Sequence, residues 1–202
     1  MVFLRNTMSR IALISDIHAN LPALEAVMKD IEQLRCDAVY CLGDIVGYNA
    51  NPSECLEFIR ERQIPTVRGN HDEEAIGEDN PAGMNPVAYN ALMWTRRQLS
   101  DEQKKWLRRA PFQRILPNEI VLVHATQDKP NSWAYVTNVD TATHSINMLR
   151  DNQFLCFNGH THVPRTFIRH EGSIQEYESG DIQLLKTNKY LINVGSVGQP
   201  RD

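Results

Sequence analysis

The sequence has little of what marks a secreted, membrane-spanning or nucleic-acid-binding chain. Its four cysteines, Cys36, Cys41, Cys55 and Cys156, show no C-x-x-C spacing, so neither a disulfide framework nor a thiolate zinc site is read from them. Two of them lie inside strand-like apolar runs, where a buried free thiol is the ordinary outcome, and a reducing, cytoplasmic setting is expected. No apolar stretch approaches the roughly 18 residues of a bilayer span, and the run at Met1 to Thr7 is too short for a secretory leader. Runs of lysine or arginine are missing and the net charge is -4, so a partner held by nucleic-acid phosphates is not indicated. Repeats, low-complexity tracts and linker-like segments are missing too. What remains, 202 residues at 42% hydrophobic content, reads as one domain over 1–202, with about 1–9 as a short extension.

What is present is one recurring unit: an apolar, strand-like run followed at once by Asp, Asn or His. Ile11 to Ile14 leads into Ser15-Asp16-Ile17-His18-Ala19-Asn20, and Leu21, Leu24, Val27, Met28, Ile31 and Leu34 then recur at helical spacing. Ala38 to Leu42 leads into Gly43-Asp44, followed by a helix opened by Asn51-Pro52-Ser53. Ile64 to Val67 is a short strand before Arg68-Gly69-Asn70-His71-Asp72, and Glu73 to Asn85 reads as a long loop over the site. Helices are expected over Pro86–Leu99 and around Glu102–Arg108, with Trp94 and Trp106 as packing anchors. Two strands, Phe112–Leu116 and Ile120–Val123, flank a tight turn, and the second ends at His124. A helix over Val139–Leu149 precedes the strand Phe154–Phe157, which delivers Asn158-Gly159-His160-Thr161-His162. Four short β runs close the chain, at 165–170, 174–177, 182–185 and 190–194.

In an α/β sheet, ligands collect beyond the carboxyl ends of the strands, so clusters placed there by five strands should converge. The pooled donors are Asp16, His18, Asp44, Asn70, His124, His160 and His162, all oxygen or nitrogen with no thiolate. That set suits two divalent transition-metal ions, manganese first, with iron, zinc or nickel as alternatives. A single ion would leave three donors unused. His144 and His170 lie on a helix and a tail strand, as surface or core residues.

Asp16-x-His18, Gly43-Asp44, Gly69-Asn70-His71-Asp72, His124 and Gly159-His160-Thr161-His162, in this order, resemble the motif set of the calcineurin-like metallophosphoesterases. Ser15 to Leu21, Gly43 to Tyr48 and Asn193 to Arg201 are similar to the small bacterial phosphodiesterases of that superfamily. The resemblance implies an α/β fold, a two-sheet α/β/β/α sandwich with the metal site at the carboxyl ends of the strands. It also implies that Asp16, His18 and His162 hold one ion, that Asn70, His124 and His160 hold the other, and that Asp44 bridges them. A phosphodiester would then be hydrolysed by a hydroxide shared between the ions. His71, surplus to the metal count, is the candidate for protonating or hydrogen-bonding the leaving group. Asn20, Arg165 and Arg201 are candidates for touching a bound phosphate. A small-molecule phosphoester is the expected partner, selected by loops 73–85 and 125–137.

Two departures from relatives narrow the expectation. Protein serine/threonine phosphatases of the superfamily carry G-D-x-V-D-R-G, whereas this chain has Gly43-Asp44-Ile45-Val46-Gly47-Tyr48-Asn49, without the acid that would orient His71 or the arginine beside it. The chain also stops at Arg201-Asp202, where similar proteins continue into another strand or two, so truncated C-terminal strands are expected. A protein phosphatase, a dinucleoside polyphosphate hydrolase and a noncatalytic scaffold of the same fold stand as alternatives.

Overall fold

In a computed structural model, residues 10–78, 86–116 and 119–201 are described. The elements run β1 (Ile11–Ile14), α1 (Leu21–Gln33), β2 (Ala38–Cys41), α2 (Pro52–Glu61), α3 (Asn70–Ile76), α4 (Pro86–Gln98), α5 (Asp101–Arg109), β3 (Gln113–Ile115) and β4 (Val121–Val123). After them come α6 (Val139–Asn147), β5 (Leu155–Asn158), β6 (Arg165–His170), β7 (Ser173–Glu178) and β8 (Lys189–Asn193). β1 and β2 pair in parallel as one sheet, and the other has the order β3-β4-β5-β8-β6-β7. In that second sheet β4, β5 and β8 are mutually parallel, β3 and β6 run antiparallel to them, and β7 returns antiparallel to β6.

Period-2 alternation makes the layers. Along β2, Val39 and Cys41 face the core shared with α1, α2 and α5, while Tyr40 and the adjoining Leu42 face a second cluster with Leu13, Leu122 and Phe157. Along β4, Leu122 joins that inter-sheet cluster, and Val121 and Val123 turn outward to meet Ile146 of α6. Strands with apolar side chains on both faces are buried on both, as a sheet covered by helices on one side and by another sheet on the other must be. The result is the expected α/β/β/α sandwich. No helix among the described residues is long and apolar enough to cross a membrane.

Three expected elements differ. Ile64 to Val67 contributes only one bridge, Thr66 to Cys41, because Pro65 has no N–H for a ladder. The loop expected over 73–85 begins as helix: α3 runs to Ile76, with Asp72 and Glu73 in its first turn, where carboxylates complement the helix dipole. Residues 79–85 of that loop, like Pro117-Asn118 of the tight turn and residues 1–9, lie outside the described residues. Ile182 to Leu185 is irregular, with Leu184 and Leu185 exposed and no ladder partner.

Candidate metal centre

The donor-bearing loops leave the strands through strained backbone. The β1–β2 ladder continues beyond both strand ends, with Asp16 N–H donating to Gly43 O (3.0 Å) and His18 N–H to Asp44 O (2.9 Å). Asp16 (φ 53°), His18 (49°), Asp44 (52°), His160 (69°) and His162 (64°) are all left-handed. Each such non-glycine residue costs on the order of 1–3 kcal/mol, and Asp and His are among the types that tolerate it best. Five of the seven donors are therefore held in a conformation that local preference opposes. Gly43 is left-handed as well (φ 93°), but Gly69 and Gly159 are required for space rather than for φ. A Cβ on Gly69 would stand 2.1 Å from Asp44 Oδ1, and one on Gly159 would stand 2.1 Å from Ser15 Oγ.

Each imidazole is aimed by a backbone carbonyl. His18 Nδ1 meets Val46 O (3.2 Å), His124 Nδ1 meets Leu42 O (2.7 Å) and His162 Nδ1 meets Gln199 O (2.7 Å). Each Nδ1–H donates there, which leaves the Nε2 lone pair for the centre. His160 is reversed: its Nε2 donates to Trp133 O (2.9 Å), leaving Nδ1. His18 Nε2 and His162 Nε2 are 3.0 Å apart, two lone pairs face to face. Asp16 Oδ1 is buried without a hydrogen bond, 3.2 Å from His162 Nε2 and 3.6 Å from His18 Nε2. Donors at ~2.1 Å on adjacent corners of one ion lie roughly 3.0 to 3.4 Å apart, so these three atoms fit a common cation. A second group, Asp44, His124 and His160, lies beside the first. Asp44 Oδ2 stands 3.3 Å from His124 Nε2 and 3.6 Å from His18 Nε2, and Asn70 Oδ1 is 3.3 Å from His124 Nε2.

The electrostatics ask for positive charge at the same point. Burial alone would raise Asp16 and Asp44, but the imidazoles, His124 foremost, hold both carboxyls well below the usual range. Burial disfavours a proton on His124, yet Asp44 and Asp16 hold one there up to about 10. His160, by contrast, is pushed down to about 4 by burial and by the charge on His124. A divalent cation would take over from that proton, and its binding would release it.

Two supporting features were not legible as such in the sequence. Asp72 accepts four backbone N–H bonds: Oδ2 from Asp44 (2.9 Å) and Gly69 (3.1 Å), Oδ1 from Ile45 (2.9 Å) and Val46 (3.3 Å). One carboxylate thus ties the Asp44 loop to the Asn70 loop. Burial, then Asp44, push Asp72 up to about 7, while the N–H groups favour its charged form. The other feature is the segment after β8. Val197 N–H donates to Ser15 O (2.9 Å), Gly198 N–H to Asp16 O (2.9 Å) and Ser196 Oγ to Asp16 O (2.8 Å), and Gln199 supplies the carbonyl for His162. The only sequence signal for either was membership of a motif.

His71 sits edge-on to His18 (ring centroids 4.9 Å) and against Tyr48 (4.5 Å), near enough to group with His18 and Asp44. Its Nδ1 is buried without a hydrogen bond, and burial pushes the ring down to about 4. Asn20 is committed elsewhere: Oδ1 caps α1 at Ala23 N (3.2 Å) and Nδ2 donates to Gly198 O (3.1 Å). Arg165 pairs with Glu176 across the β6–β7 hairpin. His144 and His170 are exposed. Trp106 packs on the first core, while Trp94 and Tyr48 line a surface cleft. Around the centre's mouth stand Tyr48, Tyr135 stacked on His160 (4.2 Å), Trp133 edge-on to His124 (6.1 Å), and Arg201.

Residues 9–202 match the calcineurin-like phosphoesterase superfamily domain. An uncharacterized protein of Methanocaldococcus jannaschii is 39% identical over 197 residues, 96% of this chain and 78% of that protein. The crystal structure of a metallophosphoesterase from Sphaerobacter thermophilus superposes with a TM-score of 0.79 at 38% identity, covering 97% of this chain and 80% of that one. A hypothetical protein from Pyrococcus horikoshii shares the fold at 20% identity, with a TM-score of 0.74 over 95% of this chain and 78% of that one.

Proposed function

Because this chain belongs to the calcineurin-like phosphoesterase superfamily, we propose that it is a cytoplasmic, dinuclear-metal-dependent phosphodiesterase acting on small phosphoesters. The observation that carries the reading is the place of Asp44 Oδ2, 3.6 Å from His18 Nε2 in one donor group and 3.3 Å from His124 Nε2 in the other. A carboxylate there can serve two ions. Asp16, His18 and His162 would hold one, Asn70, His124 and His160 the other, and Asp44 both. Two ions so held would supply Lewis acidity toward the phosphoryl oxygens and would make water a competent nucleophile at neutral pH. Manganese suits the mixed carboxylate and imidazole set, with iron, zinc and nickel as alternatives. Four free thiols, three of them buried, support that compartment.

The chain's own residues do the rest. Asn70 completes the second group without adding a negative charge that would repel the substrate. His71, whose ring burial pushes down to about 4, would donate a hydrogen bond to the departing oxygen rather than deliver a proton from an imidazolium. An acid at position 47 would have to share space with that ring, since a Cβ on Gly47 would lie 2.7 Å from His71 Nδ1. This disfavours the protein-phosphatase alternative, and the full donor set disfavours a noncatalytic scaffold.

Elemental analysis of manganese-loaded protein should find close to two ions per chain, and chelation should abolish turnover. Bis(p-nitrophenyl) phosphate should be hydrolysed faster than a phosphopeptide at matched concentration. One ion or none per chain would refute the dinuclear reading, and faster phosphopeptide turnover would refute the diesterase reading.

A further inference from the structure

The donor set of the centre contains aspartate, asparagine and histidine, and no side chain of fixed positive charge. A phosphoryl group brought to it exposes nonbridging oxygens on its solvent side, and these need a donor from the mouth. Most arginines whose contacts are known are committed to other groups. Arg68 serves Glu73 and the carbonyls of Arg108 and Ala110, Arg96 serves Glu74 O, Arg114 reaches Thr66 O, and Arg165 pairs with Glu176.

Arg201 is different in both place and partners. Its N–H donates to His162 O (3.2 Å), so its backbone is fixed one bond from a donor residue. The segment before it is stitched to Ser15 and Asp16. Its guanidinium meets Gln199 Oε1 (3.2 Å) and lies close enough to the Tyr48 hydroxyl to act on it electrostatically, and both oxygens are neutral. Tyr48 in turn packs on His18 (4.7 Å) and His71 (4.5 Å), and its hydroxyl lies within electrostatic reach of Asp44 and Tyr135. An exposed guanidinium held by neutral groups keeps most of its five N–H donors and all of its charge for an anion.

We propose that Arg201 is a substrate-binding residue that grips a nonbridging phosphoryl oxygen at the mouth of the metal centre, with Tyr48 as its positioning residue. This rests on the phosphoesterase reading above. The phenol that neighbours the guanidinium is itself packed on His18 and His71, and a planar guanidinium suits two oxygens of one phosphoryl group in a way that an ammonium does not. Any phosphoester that carries such oxygens would be gripped, whatever its alcohol.

The test is binding of inorganic phosphate to manganese-loaded protein by titration calorimetry, with kcat and KM on bis(p-nitrophenyl) phosphate measured in parallel. Arg201→Met should keep wild-type metal content and bind phosphate roughly 10- to 100-fold more weakly, the usual worth of a charged hydrogen bond. Arg201→Lys should recover only part of that loss. Tyr48→Phe should weaken phosphate by a smaller factor, and adding it to Arg201→Met should cost nothing more. Wild-type phosphate affinity in Arg201→Met, or loss of metal in that variant, would overturn the assignment. If fully loaded wild-type protein binds phosphate and cleaves no phosphoester, the enzymatic reading fails while the grip stands. If it binds no phosphate at all, the grip fails by itself.

Discussion

The floor and the rim of the candidate centre are built in opposite ways. On the floor, Asp16, His18, Asp44, His124, His160 and His162 are buried, and each imidazole has its far nitrogen fixed by a backbone carbonyl. On the rim, Tyr135 is 53% exposed and held by one face of its ring, and Arg201 is exposed and held by neutral oxygens. The floor carries left-handed strain at five positions, of order 1–3 kcal/mol each, and tolerates it because backbone bonds and packing leave those loops no alternative. Geometry that is over-determined in this way suits chemistry on a group common to all substrates. Side chains held from one side suit what the floor does not reach, which would be the solvent-side phosphoryl oxygens for Arg201 and the variable part of the substrate for Tyr135.

The contrast is sharpened first at the boundary. His71→Ala should retain both ions, because the donor sets are complete without it, and should lose on the order of 10² to 10³ in kcat on a diester with a poor leaving group, the worth of one transition-state hydrogen-bond donor. The deficit should shrink for a nitrophenolate, which needs no hydrogen-bond donor to depart. Loss of an ion, measured by elemental analysis, would move His71 into the floor. A smaller effect is expected at Asp72→Asn, which keeps the shape but turns an NH2 toward backbone N–H groups that now find a carboxylate. Manganese affinity, followed by competition with a chelator, should fall about 10- to 100-fold, as for other groups that orient a ligand. A drop in melting temperature with unchanged affinity would mean that Asp72 supports the fold alone. The smallest effect belongs to the rim. Tyr135→Leu should leave metal content and kcat within about twofold and raise KM by about two- to tenfold, the scale of one aromatic contact. A kcat loss matching that of His71→Ala would erase the distinction between the two regions.

Much of the floor was legible in residue order. Asp16, Asp44, His124 and His160 each follow an apolar run, and a parallel strand presents its carboxyl end to the ligand, so residue type and position together were enough. Asn20 shows where that logic stops. It sits in the same loop as Asp16 and His18, yet its amide is spent on the α1 cap and on Gly198, as its type equally permits. Thr66 paired where a strand was expected because proline cost the ladder its donor, and α3 formed where a loop was expected because its first-turn acids outweighed the looser composition behind it.

The sequence by itself determined the layer architecture, the identity of the buried donors and the absence of an acid at position 47, because hydrophobic period and side-chain chemistry are local properties. Only the tertiary structure decided that Asp72 ties two loops together, that Trp133 and Gln199 lend the carbonyls that choose the faces of His160 and His162, and that Arg201 meets Tyr48. These are meetings between residues far apart in the chain, and all but the last are made through backbone groups that every residue type carries and that no side-chain pattern announces.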